Sequence, residues 1–293
     1  MRVFVTGASG HIGSAVVPEL IQHGHQVVGL ARSDASAAAV KEMGAEVLRG
    51  ALDDPASLRA GAAEADAVIH LAFDNATMMA GDFAGAVATD MTAVRAYGEA
   101  LAGTGKALIG IGLAPTGDAK RDAALNANPR AAVGREIAGL NERGVRAILV
   151  AIPNVTHSAQ DRHGFVPTLI KIARDRGVSG YVGDGANRWA AGHTLDVASL
   201  YRLALEKAPA GARLSAAAED ITVREIAENI GRHLGIPAVS IAPDQAAEHF
   251  TGFPFITLDV TMPNAETKRL LGWEPVHPGL IADLDEGHYF TTG

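Results

Sequence analysis

The sequence predicts an α/β fold, in which a doubly wound parallel sheet is followed by a smaller C-terminal lobe. Up to about residue 150, short apolar segments rich in β-branched residues alternate with segments of helical apolar spacing, as parallel strands and their crossover helices do. After Pro153 this alternation becomes irregular. The 293 residues, 48% of them hydrophobic, suit a large domain with a smaller companion. We therefore expect a sheet domain over residues 1–155 and a lobe over residues 156–293, with no clean linker between them.

Six short apolar segments in the first part have the composition of buried strands. They cover residues 2–5, 26–31, 46–49, 67–71, 106–111 and 145–152. Helices are predicted between them, over residues 35–43, from Pro55 onwards, and over residues 83–102 and 130–143. Residues 114–129, rich in Gly, Pro, Asn and charge, are expected to form a loop. In the lobe the pattern predicts helices over residues 165–176, 195–207 and 223–234, and short strands near residues 180–182 and 213–216.

A glycine-rich turn joins the first strand to the first helix. The segment Thr6-Gly7-Ala8-Ser9-Gly10-His11-Ile12-Gly13 follows the strand directly and leads into the helical pattern. A strand, a glycine turn and a helix in this order are typical of the dinucleotide site of a Rossmann-like domain. Gly7 would permit the tight turn, Gly10 the close approach of a pyrophosphate, and Gly13 the packing of the helix on the strand. Since a helix N-terminus attracts phosphates, the predicted cofactor residues here are Gly7, Gly10, His11, Ile12 and Gly13.

The composition excludes several other classes of function. Acidic residues outnumber basic ones by 33 to 25, for a net charge of −8, which argues against nucleic acid as a partner. The absence of cysteine excludes disulfides, thiolate catalysis and cysteine-bound zinc, and no other metal motif is found. No apolar run approaches the roughly 20 residues of a membrane span, and the first residues lack the pattern of a signal peptide. We expect a cytoplasmic protein with a small-molecule substrate and no membrane partner.

The spacing Gly-x-x-Gly-x-x-Gly of residues 7–13 resembles that of the short-chain dehydrogenase/reductase superfamily. The resemblance is to its extended and atypical branches, which include nucleotide-sugar epimerases and dehydratases. Later segments are similar to family segments in the same order: Ile152-Pro153-Asn154-Val155 after the sixth strand, His193-Thr194-Leu195-Asp196-Val197-Ala198, and Leu271-Gly272-Trp273-Glu274-Pro275. The resemblance therefore covers nearly the whole chain and implies a cofactor of the NAD(P) class.

The end of the second strand bears on the choice of cofactor. An acidic residue there would bind the ribose 2′-hydroxyl of NAD, whereas an arginine accommodates the 2′-phosphate of NADP. Here Arg32 and Ser33 come first and Asp34 follows, so we favour NADP, with NAD still possible. The resemblance implies further cofactor contacts, for Asp53 at the adenine, for Leu71, Ala72 and Phe73 at the end of the fourth strand, and for Pro153 and Asn154 at the nicotinamide. Asp53 also has the position of an N-cap for the helix that opens at Pro55, and His70 is expected to be a hydrogen-bonded core histidine.

The catalytic residues that the resemblance implies are missing. The family uses a serine after the fifth strand and a Tyr-x-x-x-Lys pair on the following helix. The chain has four tyrosines, at positions 97, 181, 201 and 289, and none is followed four residues later by lysine. No Ser or Thr occurs between Thr104 and Thr116. Any catalysis must therefore use other residues.

Arg130 and His157 are the candidates for catalytic residues. In one register with the family pattern, Arg130 replaces the tyrosine and Gly134 the lysine; in another, Asn126 and Arg130 take these positions. Arginine does not act as a general acid at neutral pH, but it can bind a carboxylate, a phosphate or a developing oxyanion. An exposed arginine in the first turn of a helix is the alternative interpretation. His157 follows the sixth strand and has the residue type of a proton donor, although a loop histidine without a function is the alternative.

Three functions remain open from the sequence. The first is an NADP-dependent oxidoreductase with altered catalytic residues, acting on a carbonyl or an alcohol. The second is an isomerase or dehydratase on the same fold. The third is a non-catalytic cofactor-binding protein that senses redox state or binds a partner. The absence of the family's catalytic residues fits this function. By analogy with the superfamily, a homodimer through the helices at residues 83–102 and 130–143 is possible. The substrate itself is not readable from the sequence.

Overall fold

The computed structural model describes residues 1–113, 120, 123 and 126–291. The strands are β1 (Arg2–Thr6), β2 (Gln26–Ala31), β3 (Glu46–Arg49), β4 (Ala67–His70), β5 (Ala107–Ile111), β6 (Arg146–Ala151), β7 (Val155–His157), β8 (Ser179–Val182), β9 (Arg188–His193), β10 (Arg213–Ser215), β11 (Glu219–Thr222) and β12 (Ala238–Ile241). The helices are α1 (Gly13–Gln22), α2 (Asp34–Glu42), α3 (Pro55–Glu64), α4 (Asn75–Met79), α5 (Phe83–Leu101), α6 (Arg130–Gly139), α7 (Phe165–Arg176), α8 (Thr194–Lys207), α9 (Val223–Leu234), α10 (Ala246–His249), α11 (Ala265–Leu271) and α12 (Leu280–Asp285).

The chain divides into two compact units. The first unit comprises Met1–Ile152, Val197–Ala216 and Ala265–Trp273. The second comprises Pro153–Asp196, Ala217–Asn264 and Glu274–Gly293. The sequence placed the boundary between residues 155 and 156, whereas the first unit ends at Ile152 and takes two later segments from the part predicted as lobe.

The first unit is built on a seven-stranded sheet in the order β10-β6-β5-β4-β1-β2-β3, in which every pairing is parallel. This confirms the predicted doubly wound α/β fold. The six predicted strands are all present, and the correction concerns the seventh. The segment near residue 213 was assigned to the lobe, but β10 pairs with β6 in the central sheet, with Leu214 opposite Val150.

Two apolar cores cover the two faces of this sheet. Successive residues of β1 alternate between them: Val3 and Val5 belong to the core with α1 and α8, and Phe4 to the core with α3, α5 and α6. All three side chains are fully buried. This alternation with period two is what a strand covered on both faces produces.

The helices predicted for the first unit are present, with small differences in their bounds. The helix expected over residues 130–143 ends as an α-helix at Gly139 and continues as a 3₁₀ turn over Leu140–Arg143. It stops at Gly144, which has a left-handed φ of 73°. The loop expected over residues 114–129 is wrong at residues 120, 123 and 126, which are helical, while most of the other residues of this range, Thr116 among them, lie outside the described residues.

The second unit has two small sheets and a core of its own. One sheet has the order β11-β9-β7 and the other pairs β12 with β8. Trp189, Phe250 and Phe253 lie in this core. Among the described residues, no helix combines the length and the apolar character that crossing a membrane requires.

Candidate functional site

The glycine turn between β1 and α1 is tightly packed. Gly7 has a φ of 70°, and a Cβ atom there would lie 2.8 Å from the backbone nitrogen of Ala72. At Gly13 a Cβ atom would lie 2.1 Å from the carbonyl oxygen of Gly7. The prediction had Gly13 packing on the strand, but the residue it meets so closely is part of the turn itself. Both positions therefore require glycine on steric grounds.

One cavity of about 600 Å³ lies above this turn in the first unit. Its volume is in the range of small-molecule and cofactor sites, roughly 300–1,000 Å³. The structure brings eleven of the predicted cofactor residues together in its wall: Gly7, Gly10, His11, Ile12, Gly13, Arg32, Ser33, Asp53, Leu71, Ala72 and Phe73. Their spacing along the chain reflects the ends of β1, β2, β3 and β4, which meet at one edge of the sheet.

The start of α1 gives this cavity a site for phosphate. Ile12 occupies the N-cap position and supplies no side-chain hydrogen bond to the first turn. In the first turn the N–H groups of Ser14 and Ala15 donate to the carbonyl oxygens of Gly10 and Ile12, at 2.8 and 3.1 Å, so the attraction for an anion rests on the positive end of the helix dipole and on the N–H groups that precede Ser14. Gly10 also lines the cavity, and only the carbonyl oxygen of Gly7 would lie near a Cβ atom placed there. These features fit the pyrophosphate of a dinucleotide.

The two charged residues that follow β2, Arg32 and Asp34, differ in their contacts. Arg49 at the end of β3 donates from Nη2 to the Asp34 carboxylate at 2.9 Å and from Nη1 to the Ser33 carbonyl oxygen at 2.7 Å. Arg32 is exposed, and with the described residues it forms no hydrogen bond or ion pair. Ser33 caps α2 by accepting from the Ser36 backbone N–H. Ser36 also lines the cavity, and the sequence signal that could have found it is its place one helical turn after Ser33.

Asp53 is not the cap that the sequence allowed it to be. The N-cap of α3 is Asp54, whose Oδ1 accepts from the backbone N–H groups of Ala56 and Ser57 at 3.1 and 3.3 Å. The reason is the register of Pro55, which takes the first helical position and so makes its predecessor the cap. Asp53 is exposed at the cavity wall and does not cap the helix.

Arg130 lies beside the cavity wall at the start of α6. Its guanidinium carbon is 4.1 Å from the centre of the Phe73 ring, and its Nε is 3.7 Å from Asp90 Oδ2. Asn128 accepts from the Arg130 backbone N–H at 2.9 Å and so fixes the start of the helix. Burial lowers the pKa of Arg130, while Asp90 opposes this change. The side chain is 30% exposed and remains a cation at neutral pH, so it is suited to bind an anion.

His70 is the hydrogen-bonded core histidine that the sequence predicted. It is 3% exposed, and its Nδ1 is 2.7 Å from Thr6 Oγ1. Its Nε2 is 2.7 Å from Asp90 Oδ1. The sequence did not single out Asp90, although an acidic residue on the apolar stripe of α5 was a visible signal.

The second unit holds His157 in a hydrogen bond with Asp283. The Nδ1 atom of His157 is 2.8 Å from Asp283 Oδ2, and both side chains are almost fully buried. Its Nε2 is buried and has no hydrogen-bond partner among the described residues. This arrangement orients the ring, but at 1% exposure His157 does not offer its second nitrogen to solvent. Pro153 and Asn154 also belong to this unit, so their contact with the nicotinamide stays a prediction.

Two further histidines stack beside His157. The ring of His193 meets that of His157 edge to face, with centroids 5.4 Å apart, and lies flat on His277 at 4.8 Å. His277 Nδ1 is 2.7 Å from the buried Asp196 carboxylate. Burial, and next the charge of His157, lower the pKa of His193 to about 4. His193 is therefore neutral at pH 7.

Three of the four tyrosines, Tyr97, Tyr201 and Tyr289, are poorly suited to the missing acid–base role. Burial raises the pKa of Tyr97 and of Tyr201, both of which are fully enclosed. Burial likewise raises the pKa of Tyr289, which donates to Asp161 Oδ2 at 3.2 Å. A hydroxyl whose pKa is raised in this way is harder to ionise, whereas the family's catalytic tyrosine has its pKa lowered by lysine.

One group of side chains in the second unit comes close enough to share a cation. Ligand atoms of Asp283, Glu286 and His288 lie within 4.8 Å of one another. Asp283 already binds His157, and no sequence motif supports a metal here. We assign no metal to this group.

Comparisons with known proteins identify the family of the chain. Residues 3–85, which include the glycine turn and the ends of the first four strands, match the NAD dependent epimerase/dehydratase family. Nearly the whole chain is also similar to an uncharacterized protein of Schizosaccharomyces pombe, at 39% identity over 300 residues that cover 99% of this chain and 100% of that one. The chain belongs to the NAD dependent epimerase/dehydratase family. Another uncharacterized relative, from Saccharomyces cerevisiae, is 41% identical over 296 residues, covering 97% of this chain and 98% of that protein.

Solved structures of family members share the fold. The dTDP-glucose 4,6-dehydratase of Streptomyces venezuelae, solved with NAD bound, superposes with a TM-score of 0.75 over 98% of this chain and 96% of that one, at 19% identity. At this identity the likeness establishes the architecture alone. The predicted relation to extended members of the short-chain dehydrogenase/reductase superfamily is thereby confirmed.

Proposed function

We propose that this family member is an NADP-dependent oxidoreductase that acts on a carbonyl or an alcohol. The observation that carries the proposal is the cavity of the first unit, where the glycine turn and Arg32 face the same space. The turn suits a pyrophosphate, and Arg32 suits a further phosphate on the adenosine ribose. Asp34, the acidic residue that would favour NAD, is paired with Arg49, whereas Arg32 has no such pair among the described residues.

Arg130 is the residue we propose for the chemical step. NADPH, when bound, supplies a hydride to a carbonyl carbon, and negative charge then develops on the carbonyl oxygen. A guanidinium held against Phe73 would stabilise that oxyanion without having to transfer a proton. His157 is the second candidate, for the proton that completes the alcohol. We place it after Arg130 because its side chain is 1% exposed, against 30% for Arg130.

Cofactor binding and turnover test the proposal together. Calorimetric titration with NADPH and NADH should show that NADPH binds more tightly, and absorbance at the nicotinamide band should fall when a panel of aldehydes and ketones is added. The matched control for Arg130→Ala is Arg59→Ala, since Arg59 is an exposed helical arginine paired with Glu99. Loss of turnover in the first variant and its retention in the second support the role of Arg130. The proposal falls if neither nucleotide binds at millimolar concentration.

A non-catalytic cofactor-binding protein is the second candidate. It is favoured by the missing Tyr-x-x-x-Lys pair and by burial, which raises the pKa of Tyr97, Tyr201 and Tyr289. NADPH binding without turnover of any carbonyl, together with a protein captured by the NADPH-bound form, would support it. An isomerase or dehydratase, as other members of the family are, would convert substrate without net loss of NADPH. A homodimer through α5 and α6, and a cytoplasmic location, remain parts of the proposal; light scattering tests the first and fractionation the second.

A further inference from the structure

A chain of hydrogen bonds runs through the first unit from the end of β1 to Asp90. Thr6 is the last residue of β1 and directly precedes Gly7 of the turn. Its Oγ1 lies 2.7 Å from His70 Nδ1, and His70 Nε2 lies 2.7 Å from Asp90 Oδ1. Thr6, His70 and Asp90 are each no more than 3% exposed. Such a buried polar chain is stable only if every member finds its partner.

The bonding pattern places one proton of this chain. A carboxylate only accepts, so His70 Nε2 carries hydrogen and donates to Asp90. The other ring nitrogen, Nδ1, lies 2.7 Å from the Thr6 hydroxyl and 3.4 Å from the Tyr97 hydroxyl. A buried carboxylate is costly unless its second oxygen also finds a partner.

Arg130 supplies that pairing. The second oxygen of Asp90, Oδ2, is 3.7 Å from Arg130 Nε, and the guanidinium lies over the ring of Phe73. These contacts hold the guanidinium at its Nε edge and on one face. The guanidinium is therefore held between a carboxylate and an aromatic ring, and as a cation with several N–H groups it keeps the capacity to bind a further anion.

We propose that His70 and Asp90 are positioning residues, which hold the Arg130 guanidinium against Phe73 so that it can bind an anionic group beside the cofactor cavity. His70 acts by orienting Asp90, and Asp90 acts on Arg130 directly. The inference deepens the proposed function, because it rests on Arg130 being the group that binds the oxyanion. His70 contributes a hydrogen bond and Asp90 an ion pair at 3.7 Å, and supporting contacts of this kind hold a site in a productive geometry.

Two substitutions at His70 distinguish a role in positioning Asp90 from a role in packing alone. The side-chain nitrogen of glutamine reaches about as far as Nε2 of histidine, so His70→Gln keeps a donor to Asp90. The shorter amide of His70→Asn reaches only the position of Nδ1 and loses that donor. Two readouts are used: the exchange rate of the Arg130 Nε–H proton in a ¹H–¹⁵N spectrum, assigned by its disappearance in Arg130→Lys, and the affinity for oxalate by calorimetry with NADP⁺ present.

We expect His70→Asn to speed the exchange of the Arg130 Nε–H roughly tenfold and to weaken oxalate binding by a similar factor, with His70→Gln close to the native protein. If His70→Asn fails to fold, as judged by circular dichroism, Asp90→Asn is measured instead and should also speed the exchange. The proposal is overturned if His70→Asn, or Asp90→Asn in its place, leaves the exchange rate and the oxalate affinity unchanged.

The two proposals fail in different ways. If oxalate does not bind to the native protein but the Nε–H exchange still depends on His70, positioning stands and the anion-binding role of Arg130 is lost. If NADPH and oxalate bind but the exchange is indifferent to His70, the proposed function stands and the positioning role is lost.

Discussion

Arg49 binds Asp34, with 2.9 Å between Nη2 and Oδ1, at the edge of the sheet where Arg32 stands without an ion-pair partner among the described residues. Both members of the pair are largely exposed, so its contribution to stability is small. Its consequence is electrostatic: it offsets the negative charge next to Arg32. The end of β2 therefore carries two arginines and one paired carboxylate, with Asp74 close enough to feel the charge of Arg32.

Replacement of Arg32 should change cofactor preference. Loss of its charge-assisted hydrogen bonds in Arg32→Ala should weaken NADP⁺ binding roughly ten- to hundredfold and leave NAD⁺ within about twofold. Titration calorimetry with both nucleotides measures this. Arg49→Ala is the matched control, since it removes the same charge but leaves Arg32 in place, and it should weaken NADP⁺ less. Equal losses for NADP⁺ and NAD⁺ in Arg32→Ala would contradict the assignment.

The glycine turn should tolerate no side chain at Gly13. In Gly13→Ala the new Cβ would lie 2.1 Å from the carbonyl oxygen of Gly7, so the turn must shift before the helix can form. We expect at least a tenfold loss in NADPH affinity, because the N–H groups that hold the pyrophosphate move with the turn. The control is Gly139→Ala, at which nothing lies within 4 Å of the new Cβ atom and the φ of −63° suits any residue. Unchanged affinity in Gly13→Ala would show that phosphate binds elsewhere.

Substitution of the adjacent residues Asp53 and Asp54 should have different effects, one on cofactor binding and the other on stability. Asp54 caps α3, so Asp54→Ala should lower the free energy of unfolding by about 1 kcal/mol, the usual contribution of an N-cap. Asp53 lines the cavity without capping the helix, so Asp53→Ala should leave stability nearly unchanged and weaken NADPH binding. Urea denaturation and nucleotide titration of both variants measure the two effects. A loss of stability in Asp53→Ala alone would show that Asp53, and not Asp54, is the N-cap of α3.

The sequence predicted the parts of the site that local pattern determines. The turn of residues 6–13 follows from the steric needs of glycine and the order of strand and helix, and the buried strands follow from their apolar runs. Pairings between distant residues left no local signal. Asp283 lies 126 residues after His157, and β10 joins β6 through only three residues. The partner of Arg130 was missed for the same reason, because Asp90 stands on a different helix and only the fold brings the two together.

The second unit should lose stability in acid through His193. Its pKa is about 4 in the folded protein, against 6.5 for an ordinary histidine, because burial and the charge of His157 disfavour the protonated ring. His277 lowers it further, whereas Asp283 and Asp196 oppose the change. Between pH 6.5 and 4 the unfolded chain therefore binds a proton here that the folded chain does not.

The stability contributed by neutral His193 is complete above pH 6.5 and falls as the pH drops towards 4, by up to about 1.4 kcal/mol per pH unit. His193→Gln removes the titrating ring, so its free energy of unfolding should decline less steeply over this range, even if it is lower at pH 7. Urea denaturation at half-unit pH intervals measures the slope. His163→Gln, at an exposed histidine, serves as the control and should keep the native slope. A native slope in His193→Gln would assign the acid sensitivity to another group.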